Sequence, residues 1–253
     1  MKKIALLMAV IVMFSALAPA ASASTGRPPA NPPRGLEERV MKALEANTDT
    51  RGWLYIPGTT INGIIVQDNP VTVQDERTGE NLVRGSHFYH SHNFDKQEDP
   101  RGTPYIDHRS QMRLGAMPRN TVIYGKSDTD DPNGAGFAQL KKYLDDDFAA
   151  KNPYIYYSDG RNTYTFLVFA VFQTHMGLPY NVPDLSTAEM REVLSTAKQL
   201  SVREYHDSYQ PSDTARILTL STTVSTVDEA ETFMPPEYFR FVVMAKAVVP
   251  RAA

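Results

Sequence analysis

A mainly β fold with added helices, a mixed β-barrel carrying helical decorations, is what this sequence predicts. Three observations lead there. A series of short runs is rich in β-branched and aromatic residues and is bounded by Gly, Asn and Pro, as strands are. Those runs fall at irregular spacing. A few segments with helical periodicity interrupt them. The 253 residues, 42% hydrophobic and 22% charged, suffice for one sizeable domain with a real core; all-β domains often run to about 200–250 residues.

The elements follow in order. Lys2 and Lys3 precede the apolar run IALLMAVIVMFSALA and the small-residue stretch PAASAS, so residues 1–23 read as a signal peptide cleaved after Ala21-Ser22-Ala23. Its removal with both lysines would take the formal charge from −3 to −5. The alternative is an uncleaved anchor, although the run is short against the ~20 residues of a spanning helix. Residues 24–35, STGRPPANPPRG, carry four prolines and read as an extended linker. LEERVMKALEAN, 36–47, predicts an amphipathic helix with Leu36, Val40, Leu44 and the nearby Met41 on one face. GWLYIPG and INGIIVQ are the first strands, followed by TPYID, NTVIYG, TYTFLVFAVF, TARILTLST and FRFVVMAKAVV. Helical signals occur around 136–145 and at 185–200; the latter opens on Ser186 or Thr187 with Glu189 and Glu192 in its first turns, as a capped helix does.

Composition excludes several functions. The net charge of −3 argues against a nucleic-acid binder, which carries a basic face. With no cysteine, the chain has no disulfide, thiolate metal site or cysteine nucleophile. YGKSDTDDPNGAG lacks the glycine–lysine order of a phosphate loop. His87, His90 and His92 lie close enough in sequence to suggest zinc. His90 and His92 could equally line one side of an extended segment, and no second ligand cluster accompanies them, so no metal is expected. The acidic run 145–147 reads as a solvated helix end, and the hydroxyl clusters 186–187 and 221–226 as caps and turns.

Six segments in order, from about Leu36 to Val249, resemble one family. GWLYIPGTTINGIIVQDN, GTPYIDHRS, NTVIYGKS, FAQLKKYLDDDFAAKNPYIYY, RILTLSTT and RFVVMAKAV are similar to the corresponding stretches of class B sortases. The resemblance implies a domain at 36–250 with an eight-stranded β-barrel, an N-terminal helix and a helix at about 185–200. It also implies a surface transpeptidase of mainly Gram-positive bacteria that needs no cofactor. In that family a Cys attacks the Thr carbonyl of a sorting signal, LPxTG-like or, in class B, NPxTN-like. An amine from a wall precursor or pilin resolves the acyl-enzyme, a His acts as acid and base, and an Arg stabilises the oxyanion.

The match departs from the family where the chemistry lies. The family Cys falls on Thr223 and the His on Lys126; the Arg is kept as Arg240, and Ser221-Thr222 are kept before the nucleophile position. The connection of about 173–210 would form one groove wall, with Tyr180 and Asn181 as candidate peptide contacts. The loop between Thr223 and Arg240 contains two prolines and reads as an ordered excursion beside the site. A Thr hydroxyl needs a base to become a nucleophile. A lysine can be that base only when neutral, which from its reference value costs roughly 4.6 kcal/mol at pH 7. Two readings follow. One is a surface sortase-like pseudoenzyme that binds a sorting-signal-like peptide, pilin or peptidoglycan component. The other is an active transpeptidase or hydrolase using a Thr223–Lys126 dyad with Arg240. Neither involves nucleic acid, and a membrane enters only through an uncleaved N-terminal segment.

Overall fold

The computed structural model describes residues 32–110, 112–175, 177–205, 210–224 and 238–248. The expected signal peptide, most of the linker and most of the loop between Thr223 and Arg240 lie outside them. Among the described residues no helix is long and apolar enough to cross a membrane.

Helix α1, Leu36–Ala46, buries Leu36, Val40 and Ala43 against the barrel, the i, i+4, i+7 stripe of a 3.6-residue period. Met41, expected on that face, is exposed because it sits about a quarter turn away. The strands are β1 Thr50–Tyr55, β2 Asn62–Gln67, β3 Pro70–Gln74, β4 Asn81–Gly85, β5 Tyr105–Ile106, β6 Asn120–Tyr124, β7 Tyr154–Ser158, β8 Thr163–His175, β9 Ile217–Thr223 and β10 Phe239–Val248. Eight of them close into a barrel in the order β1-β2-β5-β6-β9-β10-β8-β7. The β2–β5 and β6–β9 pairs are parallel and the other ladders antiparallel. The expected eight-stranded mixed barrel is therefore present.

Strands β3 and β4 form a separate two-stranded hairpin whose side chains are mostly exposed. The sequence does not predict it: with water on both faces it needs no apolar alternation. The 136–145 segment is a 3₁₀ helix, Gly136–Leu144, rather than a regular α-helix. The acidic run begins a helix: Asp145 caps α2, Asp146–Lys151, by accepting from Phe148 N at 2.7 Å. Helix α3, Thr187–Leu200, is capped as expected, with Ser186 and Glu189 completing a reciprocal capping box.

Two apolar layers explain why β8, β9 and β10 read as nearly unbroken hydrophobic runs. Phe166, Val168, Leu218, Leu220, Phe241 and Val243 point into the barrel. Their neighbours Phe169, Ile217, Val242 and Met244 point outward, beneath Met190, Val193, Leu194 and Ala197 of α3. Each large buried side chain in this second layer contributes about 1.5–3 kcal/mol. The layer clamps α3 and the turn before it onto the barrel wall beside the ends of β6, β9 and β10.

Candidate functional site

Register places the candidate residues. Adjacent side chains on a strand face opposite ways, and directly paired residues share a face. Thr223 pairs with Arg240 across β9 and β10, while Tyr124 of β6 pairs with Ser221. Leu218, Leu220 and Phe241 face the interior, so Ser221, Thr223, Arg240 and Tyr124 face out, with Lys126 two residues beyond Tyr124. Thr222 is paired with Phe241 and belongs to the inward set; its buried hydroxyl finds no hydrogen-bond partner among the described residues. Gly125 leaves room for the Phe137 ring to pack against the backbone before Lys126: a Cβ there would meet that ring at 2.3 Å.

These strand ends floor a cleft of about 440 Å³ that includes Lys126, Tyr180, Asn181, Ser221, Thr223 and Arg240 in its lining. Thr222 borders it too, so all seven residues singled out in the sequence come together, but in different roles. Thr223 Oγ1 donates to the carbonyl of Ser127 at 3.3 Å, Lys126 Nζ to the carbonyl of Pro100 at 2.6 Å, and Arg240 Nη1 to the carbonyl of Phe239 at 2.7 Å. Tyr180 is buried, and its hydroxyl shares a 3.0 Å hydrogen bond with Ser221 Oγ. Burial pushes the Tyr180 hydroxyl above its ordinary pKa, which keeps it neutral.

One wall is held by residues that lie in the family motifs but carry no role assigned from sequence. Asn120 Nδ2 donates to the carbonyls of Tyr180 at 2.9 Å and Val182 at 3.1 Å, and its Oδ1 accepts from Thr219 Oγ1 at 2.7 Å. Asp107 accepts two bonds from the Arg109 side chain, at 2.9 and 2.7 Å, and one from the Tyr124 hydroxyl at 2.9 Å. Arg109 also donates to the Asn181 carbonyl at 2.9 Å, and Asn181 Nδ2 donates to the Tyr124 oxygen at 2.9 Å, closing a ring. Burial raises the Asp107 carboxyl, but the Arg109 and Tyr124 hydrogen bonds outweigh it and hold the group below the usual carboxylate range. Asp107 and Arg109 lie in GTPYIDHRS and Asn120 in NTVIYGKS, so the motifs were the available signal.

The opposite wall runs through 86–103. His87 has φ 53 and starts a 3₁₀ turn, Phe88–His90, so the histidines do not lie along an extended segment. His87 and His90 line the cleft, whereas His92 stacks on Phe88 with ring centroids 3.8 Å apart. Among the described residues no group of three His, Asp or Glu side chains is arranged to hold a metal. Asp68 accepts from Ser86 Oγ at 2.6 Å and His87 N at 3.0 Å, fixing the start of the turn. Burial lowers the pKa of His90 and the charges of Lys126, His87 and Arg240 lower it further. Behind the floor, Lys141 is buried and donates to the Thr129 carbonyl at 2.9 Å and to Asp130, securing the loop that carries Ser127.

The chain is 30% identical over 188 residues to sortase B of Listeria monocytogenes, covering 74% of this chain and 68% of that one. It belongs to the sortase B family. Sortase B of Staphylococcus aureus is 24% identical over 217 residues, or 84% of this chain and 77% of that one. Solved sortase B structures share the fold. A mutant form of the Clostridium perfringens protein superposes with a TM-score of 0.65 at 24% identity, covering 84% of this chain and 87% of that one. The Staphylococcus aureus protein in a substrate complex gives 0.64 at 22% identity, covering 84% and 86%. No protein-family model matches the chain. Within this sortase B scaffold, the cleft lining includes the side chains of Arg109, Lys126 and Arg240 and the Thr223 hydroxyl.

Proposed function

We propose that this member of the sortase B family is a secreted or surface-held pseudoenzyme that binds a sorting-signal-like peptide, a pilin or a peptidoglycan component without joining it to an acceptor. On this reading Thr223 and Lys126 stand where the family has its Cys and His, Arg240 keeps the oxyanion position, and Tyr180 and Asn181 shape the peptide groove. The observation that carries it is the direction of two hydrogen bonds. A Thr–Lys dyad needs the hydroxyl proton aimed at a basic nitrogen. Instead Thr223 donates to the Ser127 carbonyl and Lys126 donates to the Pro100 carbonyl. Relatives support the ligand class: solved structures include a Staphylococcus aureus sortase B–substrate complex and a sortase B complexed with triglycine.

A fluorogenic NPxTN-type peptide tests this, with and without an amine acceptor. The expected result is peptide binding with no turnover in either case. Turnover that disappears in Thr223→Ala would overturn the proposal in favour of the dyad.

A further inference from the structure

The β3–β4 hairpin is a two-stranded sheet with two outer edges, and the edges differ. Asp75 N donates to the Glu80 carbonyl at 2.8 Å and Ser86 N to the Asn69 carbonyl at 2.9 Å, so these two pairs bracket the ladder. Ladder bonds recur at every second antiparallel pair. Val71–Arg84 and Val73–Leu82 therefore carry the inner bonds, and the residues between them turn N–H and C=O to the outside. On β3 those residues are Pro70, Thr72 and Gln74; Pro70 has no N–H, which blunts that edge. On β4 they are Asn81, Val83 and Gly85, with neither proline nor charge. Among the described residues no third strand pairs with β4; Asn81 is exposed, and Val83 is 67% exposed. This open edge leads to the cleft. Gly85, at its end, lies against the Asp68 carboxylate and the His108 ring, where a Cβ has no room. Both of those side chains line the cleft, as does His87 two residues beyond Gly85.

The geometry points to a second half of the binding site: an extended polypeptide seated in the cleft continues along β4 as a third strand, hydrogen-bonded to the backbone of Asn81 and Val83. This inference rests on the cleft being a peptide site without turnover, and it selects a polypeptide such as a pilin segment over a glycan. A two-stranded hairpin with water on both faces is marginal by itself, and a third strand is what such a sheet lacks. In strand addition the main-chain hydrogen bonds supply affinity and alternate side chains supply preference. From Gly85 to Asn81 the edge runs roughly 13 Å, room for about four or five ligand residues. Ligand side chains level with Val83 share its face of the sheet, as Thr72 does, so β-branched residues fit there. Proline is excluded from the ligand positions that donate to Asn81 and Val83, because it has no N–H.

Two peptides test this on the full chain by calorimetry: the amide of acetyl-Asn-Pro-Ala-Thr-Asn, and the same core lengthened at each end by Thr-Val-Thr-Val. Turnover is followed in parallel. The longer peptide should bind roughly tenfold more tightly than the core. Val83→Pro removes an N–H that the hairpin ladder does not use; it should abolish that gain and leave the affinity of the core unchanged. Thr72→Pro makes the same change on the far edge and should leave the gain intact. N-methylation of the added peptide residues should abolish the gain with the wild-type chain, independently of how either variant folds. A gain that survives both Val83→Pro and N-methylation would overturn the third strand, as would core binding with no gain; each leaves the pseudoenzyme reading standing. Self-association of the chain that is lost in Val83→Pro would make a second copy the occupant of the edge and overturn the inference. Binding of neither peptide would overturn both readings. Turnover lost in Thr223→Ala would remove the underlying reading itself.

Discussion

The two sides of the cleft floor are built on different terms. Around Tyr180 and Asn181, side chains bond side chains: Tyr180 with Ser221, Asn181 with Tyr124, Tyr124 with Asp107, and Asp107 with Arg109. Around Lys126 and Thr223, the bonds run to nearby backbone carbonyls. The first region is a closed network that fixes the groove's shape. The second presents a charge and a hydroxyl, each donated to a backbone carbonyl. In an enzyme of the Thr–Lys dyad type the reacting groups would be tied to one another. Here the tightly coupled polar groups are those that hold the wall, and Lys126 and Thr223 bond separate carbonyls.

The network side should therefore be the sensitive one in stability. Asp107→Asn removes the charge that Arg109 and Tyr124 converge on and should lower stability by about 2 kcal/mol, read from the urea midpoint. The pH profile sharpens this. The folded-state pKa of Asp107 is depressed, so its contribution is full above the unfolded carboxylate value and is lost as pH falls through the folded one. Wild type should lose stability in that acid range more steeply than Asp107→Asn. Parallel acid profiles would break the distinction between the two regions.

Next in size, Tyr180→Phe should cost about 1 kcal/mol by leaving the buried Ser221 hydroxyl without its partner. Thr223→Ala removes one long bond at a half-buried strand end and should cost roughly 0.5 kcal/mol or less. A reversed order would place the structural coupling on the wrong side of the cleft.

Much of this fold was legible in the sequence, for identifiable reasons. β9 and β10 are buried on both faces over most of their length and show it as largely apolar stretches, ILTL and FVVMA; α3 carries its start signal in Ser186 and Glu189. The β3–β4 hairpin was not legible, because Val71, Leu82 and Val83 are exposed and no buried face imposes a period. Thr223, Lys126 and Arg240 came from the collinear resemblance. Asp107, Arg109 and Asn120 lay inside the same motifs, but polar residues at strand ends have no periodicity to declare what they bond. Nothing in the sequence marks Lys141 as buried; its pairing with Asp130 comes only from the fold. The role of His87 and His90 depended on the positive φ of His87, which turns the chain where a strand-like reading would leave it extended.

The smallest expected effect concerns His90, which faces the charges of Lys126, His87 and Arg240. Its folded pKa lies below the ordinary histidine value, so protonation opposes the folded state: stability is full above that ordinary value and declines as pH falls through it. The acid-side loss of stability around the ordinary histidine value of about 6.5 should therefore be slightly shallower in His90→Gln than in wild type, read from urea midpoints across that range. An equal loss in His90→Gln would remove His90 from the cleft's charge balance.

The central claim is that Thr223 holds a ligand and does not attack it. Intact-mass measurement of the wild-type protein after prolonged incubation with an NPxTN-type peptide addresses it directly. The expected result is an unmodified protein mass, with the peptide recovered whole. An acyl adduct mapped to Thr223 would contradict it.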